Sequence, residues 1–313
     1  MARARKHADW RLLHDPRIPK HAITDGWRAR LRPDAARSRL AHVPAPLLLA
    51  AVAVAYFSVA KLGLSFSQGH DIVSAVWPPS GLALAAAVVF GARVWPAVFL
   101  AAVCSNATGG STVPAAVGIA TGNALAAVAG RALLARAGFE PALRRVRDVA
   151  ALAVLGAGLS TAVNATIGTA TLLAAGVAHW RGLWAFWRVW WLGDLTGVLL
   201  VAPPLLLALT GAWRARRPGA LGGARLAEAS VLAAALVAAM LLVLHAGVTL
   251  AFPIFPLIVL AAMRFRQTGA VLAALAVSTI AVAYTANGAG PFTGGPADID
   301  LLDAQVFVGL AAL

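Results

Sequence analysis

An acidic side chain, Asp194, lies inside one of the longest apolar runs of the sequence, residues 182–210. At 1.5 Å per helical residue, Arg188 lies about 9 Å and Asp194 about 18 Å beyond Gly182. A carboxylate that deep in lipid costs at least about 2.5 kcal/mol, so we expect it to be protonated, paired or beside a cavity. Because six residues separate Arg188 from Asp194, each needs its own partner on another helix. A functional acid and a structural interhelical hydrogen bond both fit this pattern.

The segment Trp77-Pro78-Pro79-Ser80-Gly81 is the second candidate, near the start of the apolar run 72–90. Adjacent prolines remove backbone donors and clash with the preceding turn, which predicts a kink or an unwound turn. In lipid the freed carbonyl groups need partners, so this segment should face protein or a wet cavity. Membrane proteins build small-ligand sites in this way. A kink that only shapes packing is the alternative.

Aromatic and amide side chains mark neighbouring runs. Trp190 and Trp191 belong to a group of five tryptophans within residues 180–191, a density typical of a membrane interface. Asn164 lies among small and polar residues spaced by three or four positions, hence on one helical face, and Asn123 follows a Gly-xxx-Gly pair. Small residues permit close helix approach and asparagine can hydrogen-bond across it, which favours packing seams over ligand sites.

Metal and catalytic motifs are absent from the sequence. Cys104 is the single cysteine, and it has no CxxC or Cys/His ligand pattern around it. His70, His179 and His245 are far apart in sequence at predicted helix ends, where interface anchoring explains them better than a metal site or pH sensor. No P-loop, nucleophile elbow or HExxH motif occurs. We therefore predict no enzyme, no catalytic residue and no cofactor.

The elements that carry these residues are predicted to be membrane helices. Of the 313 residues, 60% are hydrophobic and 12% are charged, whereas soluble proteins have about a quarter charged residues. A spanning helix needs roughly 20 mostly apolar residues. We expect an all-α, polytopic bundle of about ten transmembrane helices. The apolar runs are 44–66, 72–90, 93–107, 112–134, 148–175, 182–210, 227–246, 248–263, 268–286 and 301–313.

The positions of the charges predict an orientation. Of 26 Lys and Arg residues, 23 lie in the first 43 residues or in alternate loops on the same side. This asymmetry predicts an inner-membrane protein with its N-terminus in the cytoplasm, and it argues against nucleic-acid binding despite the +14 charge. Residues 1–43 are interpreted as a disordered, basic cytoplasmic tail, solvated or lying on anionic lipid. The last run has 13 residues, so we expect a truncated helix with more protein beyond Leu313.

Several segments together resemble the first type of membrane-associated sensor domain (MASE). They are AVWPPSGLALAAAVVFGARVWPAVFLAAVCSNA (75–107), GIATGNALAAVAGRALL (118–134), WRVWWLGDLTGVLLVAPPLLLAL (187–209) and GPFTGGPADIDLLDAQVFV (290–308). The resemblance covers about residues 45–313, and we assign residues 44–313 to this domain. The family motifs fall here on Trp77, Pro78, Pro79, Ser80, Gly81, Trp95, Pro96, Asn106, Gly122, Asn123, Trp190, Trp191, Gly193 and Asp194.

The resemblance implies a bacterial signal-input module. In such a module we expect the helices of runs 72–90 and 182–210 to form an outward-facing pocket around Trp77–Gly81, Arg188 and Asp194. The expected partners of the module are the lipid bilayer, a small-molecule signal and a cytoplasmic output domain, in cis or in trans, with a homodimer left open. The output would be a GGDEF or EAL domain of cyclic di-GMP signalling or a histidine kinase. A proton-coupled transporter using Asp194 is the alternative, and a structural membrane protein without a ligand is the third hypothesis.

Overall fold

The computed structural model describes residues 43–65, 76–212, 223–246, 254–287 and 297–312. The regular structure in these ranges is helical, without strands, and the tail predicted for residues 1–43 lies almost wholly outside them. Nine helices occur in the described ranges: α1 (Ala45–Ser65), α2 (Pro78–Phe90), α3 (Trp95–Ala107), α4 (Val113–Arg136), α5 (Val146–Ala174), α6 (Leu183–Leu209), α7 (Gly223–Ala246), α8 (Ile254–Ala286) and α9 (Ala297–Ala312).

Six of these helices are long and apolar enough to cross a membrane: α1, α4, α5, α6, α7 and α8. The shorter helices α2, α3 and α9 are apolar as well. Their number and composition confirm the prediction of an all-α, multi-pass membrane protein. The predicted count of about ten helices is not confirmed, because the described residues contain nine.

The difference in count arises in α8. The predicted runs 248–263 and 268–286 lie in one helical element of 33 residues, which is interrupted at Arg266 by φ 59° and ψ −147°. A Cβ atom added at Gly269 would overlap the carbonyl oxygen of Ala261. In an unbroken helix these residues would be about 12 Å apart along the axis. The two predicted runs are therefore two arms of α8 that fold sharply against each other at Arg266.

Proline sets the start of α2. Pro78 and Pro79 occupy its first turn, and Trp77 before them has a non-helical backbone with φ −112° and ψ 83°. Proline suits this position because the first amides of a helix lack intrahelical partners anyway. The unwound turn predicted at these prolines is thus the beginning of the helix itself. By contrast, Pro203 and Pro204 lie inside the continuous helix α6.

Helix α6 packs against α2, α5, α8 and α9, and α2 also contacts α1 and α4. Glycine permits the closest of these approaches. A Cβ atom at Gly197 of α6 would overlap the carbonyl oxygen of Trp77, and one at Gly81 of α2 would overlap the carbonyl oxygen of Gly197. The start of α2 and the middle of α6 are therefore in direct backbone contact, and the two helices run in the same direction.

The loop between α4 and α5 is held by an ion pair. The Arg145 guanidinium donates to both carboxylate oxygens of Asp148, at 2.7 and 2.8 Å, and to the carbonyl oxygen of Gly138 at 3.1 Å. The hydrogen bonds with Asp148 raise the pKa of Arg145 above its usual value. Because this loop meets α8, where the Gln267 side chain donates to the carbonyl oxygen of Leu143, it fixes one end of the bundle.

Candidate functional site

The candidate site is centred on the carboxylate of Asp194, which is fully buried in α6. Its Oδ1 accepts a hydrogen bond of 2.5 Å from the Ser80 hydroxyl of α2, and its Oδ2 accepts one of 2.7 Å from the Asn164 amide of α5. Trp190, one turn earlier on α6, also interacts with this carboxylate. Asp194 thus binds side chains from two other helices, as a polar group inside an apolar bundle requires.

The hydrogen bonds continue from Asn164 to two further helices. The Asn164 Nδ2 lies 3.3 Å from Oδ1 of Asn123 on α4, and that same oxygen accepts a 3.0 Å hydrogen bond from the Tyr56 hydroxyl of α1. Asn123 in turn donates to the carbonyl oxygen of Ile119 at 2.9 Å. We call Tyr56, Ser80, Asn123, Asn164 and Asp194 the central network. It joins α1, α2, α4, α5 and α6 through side chains that are mostly buried.

Backbone contacts hold Ser80 and Asp194 in register. The Trp77 amide donates to the carbonyl oxygen of Gly193, at 2.8 Å, immediately before Asp194. Because Ser80 lies in the first turn of α2, the positive end of the α2 dipole faces the carboxylate and favours its negative charge. The Trp77-Pro-Pro-Ser segment therefore positions both a donor and a helix terminus at Asp194.

Tight packing encloses the Asn164 end of the network. A Cβ atom at Gly122 would lie 2.5 Å from Oδ1 of Asn164, and one at Gly168 would lie 2.5 Å from the Trp190 ring. The Oδ1 atom of Asn164 is buried and has no hydrogen-bond partner among the described residues. Buried acceptors normally have a hydrogen-bond partner, so this oxygen is an exception. It leaves a free acceptor close to the Asp194 carboxylate.

Tryptophans of α6 line the seam with α5. Trp184, Trp187 and Trp191 stack in sequence, with ring centroids 5.1 and 5.6 Å apart. The Trp191 indole donates to the carbonyl oxygen of Gly158 at 2.8 Å, within a π-helical segment of α5, Leu152–Leu159. Single π-helical turns within α-helices are frequent at functional sites. Trp191 therefore fixes α6 against the irregular part of α5.

Arg188 is half-buried and stands apart from the central network. Its Nε atom is buried and has no hydrogen-bond partner in the described ranges. Of the ten predicted candidates, the structure brings together Trp77, Pro78, Ser80, Asn123, Asn164, Trp190 and Asp194 through the contacts above. Trp191 bonds Gly158 of α5 instead, and Pro79 is buried in the first turn of α2. The side chain of Asn106, a family motif residue, donates to the Ala102 carbonyl oxygen of its own helix at 2.8 Å.

Two polar residues of this region were not predicted. Tyr56 is fully buried and closes the network on α1, yet it stands alone in an apolar run. Gln305 of α9 is fully buried too, and its amide donates to the Val189 carbonyl oxygen of α6 at 2.9 Å. The sequence did contain a signal for Gln305, namely a single amide side chain within an apolar run.

In the described part of the chain, no group of three or more His, Cys, Asp or Glu side chains could hold a metal ion.

Comparison with known proteins identifies the family of this helical membrane protein. The family model for MASE1, the membrane-associated sensor domain of the first type, matches residues 48–313. The chain therefore belongs to the MASE1 family, whose members are membrane sensory input modules. No curated protein and no solved structure matched the sequence.

Proposed function

We propose that this chain is the input module of a bacterial signal-transduction protein and that a small-molecule signal acts on the central network around Asp194. The observation that carries the proposal is a fully buried carboxylate whose two oxygens bind side chains of α2 and α5. An ionisable residue inside a membrane bundle marks a functional site by default, because a purely structural seam needs no charge.

The proposed switch is the contact between α2 and α6. A signal with hydrogen-bond donors or a positive charge would compete with Ser80 and Asn164 for Asp194, and the free Oδ1 of Asn164 offers it a second acceptor. Losing either bond changes the packing of α2 or α5 on α6. A signal that binds one packing more tightly shifts the population toward it.

Helix α9 would transmit the change. Gln305 donates to the carbonyl oxygen of Val189, five residues before Asp194, and Gly309 faces Thr196 two residues after it. These contacts couple α9 to the part of α6 that carries the carboxylate. We propose that the output is a GGDEF, EAL or histidine kinase domain, in cis or in trans, on the cytoplasmic side.

The proposed location is the bacterial inner membrane with the N-terminus in the cytoplasm. The support is the arginine asymmetry, since 23 of 26 basic residues fall on one predicted side. On this topology the end of α9 faces the cytoplasm, where such output domains act.

The experiment uses the natural protein together with its output, with second-messenger level or phosphorylation as the readout in cells. We expect Asp194→Asn and Ser80→Ala to change the output at normal membrane expression. Asp303→Asn is the matched control, because Asp303 is an exposed carboxylate on α9. Unchanged output from both site variants would remove the central network from the mechanism.

Transport is the second candidate, since α2 begins beside a buried acid and helix N-termini within the membrane form substrate sites in transporters. Proteoliposomes containing the chain alone decide between the two. Saturable uptake that is driven by a proton gradient and lost in Asp194→Asn would favour transport over sensing.

A further inference from the structure

A cavity of about 320 Å³ lies between α5, α6, α8 and α9, away from the central network. Its volume is within the range of about 300–1,000 Å³ that is typical of small-molecule sites. The residues around it are apolar apart from Gln267, whose amide donates to the carbonyl oxygen of Leu143. Representative lining residues are Leu152, Leu199, Ile258, Ala274 and Leu310. A polar soluble ligand would find few partners in this cavity.

Part of the rim faces outward. Val149, Val259 and Leu310 line the cavity and have 40%, 56% and 56% of their surface exposed. In a membrane protein, apolar side chains exposed on the outside of the bundle face lipid chains. The cavity therefore adjoins the surface that lipid covers, from which an acyl chain can enter.

Two arginines stand at the same end of the bundle. Arg266 directly precedes the lining residue Gln267, and Arg147 lies two residues before Val149. Both are exposed, and neither has an acidic partner within the described residues. Their neighbours Arg145 and Arg264 are already paired with Asp148 and Glu228. Arg266 has φ 59°, a left-handed conformation uncommon in residues other than glycine, and such strain is often retained at functional sites.

We propose that this cavity binds an acyl chain of an anionic phospholipid and that Arg147 and Arg266 hold its phosphate group. The apolar lining selects the acyl chain, and the two positive charges at the same end of the bundle, which have no acidic partner in the described residues, select the headgroup. Basic pockets between transmembrane helices bind anionic headgroups in this way. The proposal is independent of the proposed function, because none of the central network residues lines the cavity.

The test is native mass spectrometry of the full chain in detergent, with phosphatidylglycerol and phosphatidylcholine of identical acyl chains as probes. We expect phosphatidylglycerol to bind more tightly. In the double variant Arg147→Gln/Arg266→Gln, the affinity for phosphatidylglycerol should fall roughly 30-fold, or about 2 kcal/mol, because each basic residue contributes about 1 kcal/mol to the binding of anionic lipid. Arg93→Gln is the matched control, because Arg93 is an exposed arginine in the α2–α3 connection and does not line the cavity.

A second variant distinguishes the cavity from general surface attraction, including attraction to the basic residues before position 43. Ala270→Phe places a large side chain on the cavity wall without changing any charge. We expect it to reduce phosphatidylglycerol binding while the thermal unfolding temperature and elution volume stay those of a folded protein. Glycerol phosphate without acyl chains should not compete. Equal affinity for both lipids, full binding by folded Ala270→Phe, or an equal loss in Arg93→Gln would overturn the proposal.

Discussion

Replacing Asp194 with alanine and with asparagine separates its hydrogen bonds from its charge. Alanine removes both acceptors, so the Ser80 hydroxyl and the Asn164 amide lose their bonds of 2.5 and 2.7 Å. Asparagine keeps one oxygen for Asn164 and supplies an amide that can donate to Ser80, whose hydroxyl can turn to accept. The two variants therefore differ in hydrogen bonding although both remove the negative charge.

The magnitude follows from the two lost bonds. A hydrogen bond to a charged group contributes about 1.5–3 kcal/mol in soluble proteins, whereas hydrogen bonds between membrane helices average about 0.6 kcal/mol. For the loss of two bonds, we expect a value between these limits, so Asp194→Ala should lower the free energy of unfolding by about 2–4 kcal/mol. Asp194→Asn should lower it by less than about 1 kcal/mol, because its donors and acceptors can still be paired. Asp303→Ala, at an exposed carboxylate, should have almost no effect.

The assay is reversible unfolding in mixed micelles followed by tryptophan fluorescence, since α6 carries the stacked Trp184, Trp187 and Trp191. Wild-type stability in Asp194→Ala would refute the hydrogen bonds described for the central network. Equal losses in the alanine and asparagine variants would show instead that the negative charge, and not bond geometry, holds the helices together.

Three further predictions concern packing, coupling and topology. Gly197→Ala should destabilise the fold by about 2 kcal/mol or more in the same unfolding assay, because the new Cβ atom would overlap the backbone of Trp77 at the start of α2. Gly309→Ala is the control and should not destabilise the fold, because its Cβ atom would meet only an ordinary contact with Thr196 at 3.6 Å. Gln305→Leu should leave stability within about 1 kcal/mol, because the loss of the amide bond to Val189 is offset by the removal of a buried oxygen without a partner in the described residues. The same variant should change the signalling output, because that bond couples α9 to α6. In a background without the native cysteine, Ser111→Cys should react with an impermeant maleimide in intact cells, and Arg147→Cys only after the membrane is opened; the reverse pattern would contradict the proposed orientation.

The amino-acid sequence predicted the positions of the helices better than the contacts between them. Apolar runs predicted the helical segments because lipid demands about 20 apolar residues per span. The sharp fold of α8 at Arg266 was not predicted, because two arginines between apolar runs are typical of an ordinary loop between separate helices. The length of α2 was overestimated, because the apolar run begins at residue 72 whereas the helix begins at Pro78.

The sequence predicted most residues of the candidate site and a pocket between α2 and α6, but not the hydrogen bonds that extend the site to α1, α4 and α5. Buried Asp194 and the asparagines stood out because polar groups in lipid need partners. Their pairing depends on which helices adjoin, which local periodicity does not determine, and Tyr56 gave no signal because tyrosine is common in apolar runs. The expectation that Arg188 shares a pocket with Asp194 stays a prediction, and in the described residues the buried Nε atom of Arg188 has no hydrogen-bond partner.

The central network and the proposed lipid cavity share α6, and α9 both lines the cavity and contacts α6 near Asp194. Asp194 on α6 is five residues before Leu199, which lines the cavity, and Gln305 on α9 is five residues before Leu310, which lines it too. At 1.5 Å per residue both offsets are about 7.5 Å, so a shift of α9 along α6 would alter both places together.

Coupling of this kind must be reciprocal, because binding at one place changes the affinity at the other by the same factor. We expect Asp194→Asn, which leaves the cavity lining and both flanking arginines intact, to change phosphatidylglycerol affinity by about 5-fold or more, the lower end of typical coupling. Arg147→Gln/Arg266→Gln should in turn alter the signalling output, although neither residue belongs to the central network. Native mass spectrometry and the output assay measure the two directions separately. Unchanged lipid affinity in Asp194→Asn together with unchanged output in the arginine variant would mean that α6 and α9 do not link the two places, whatever binds at each.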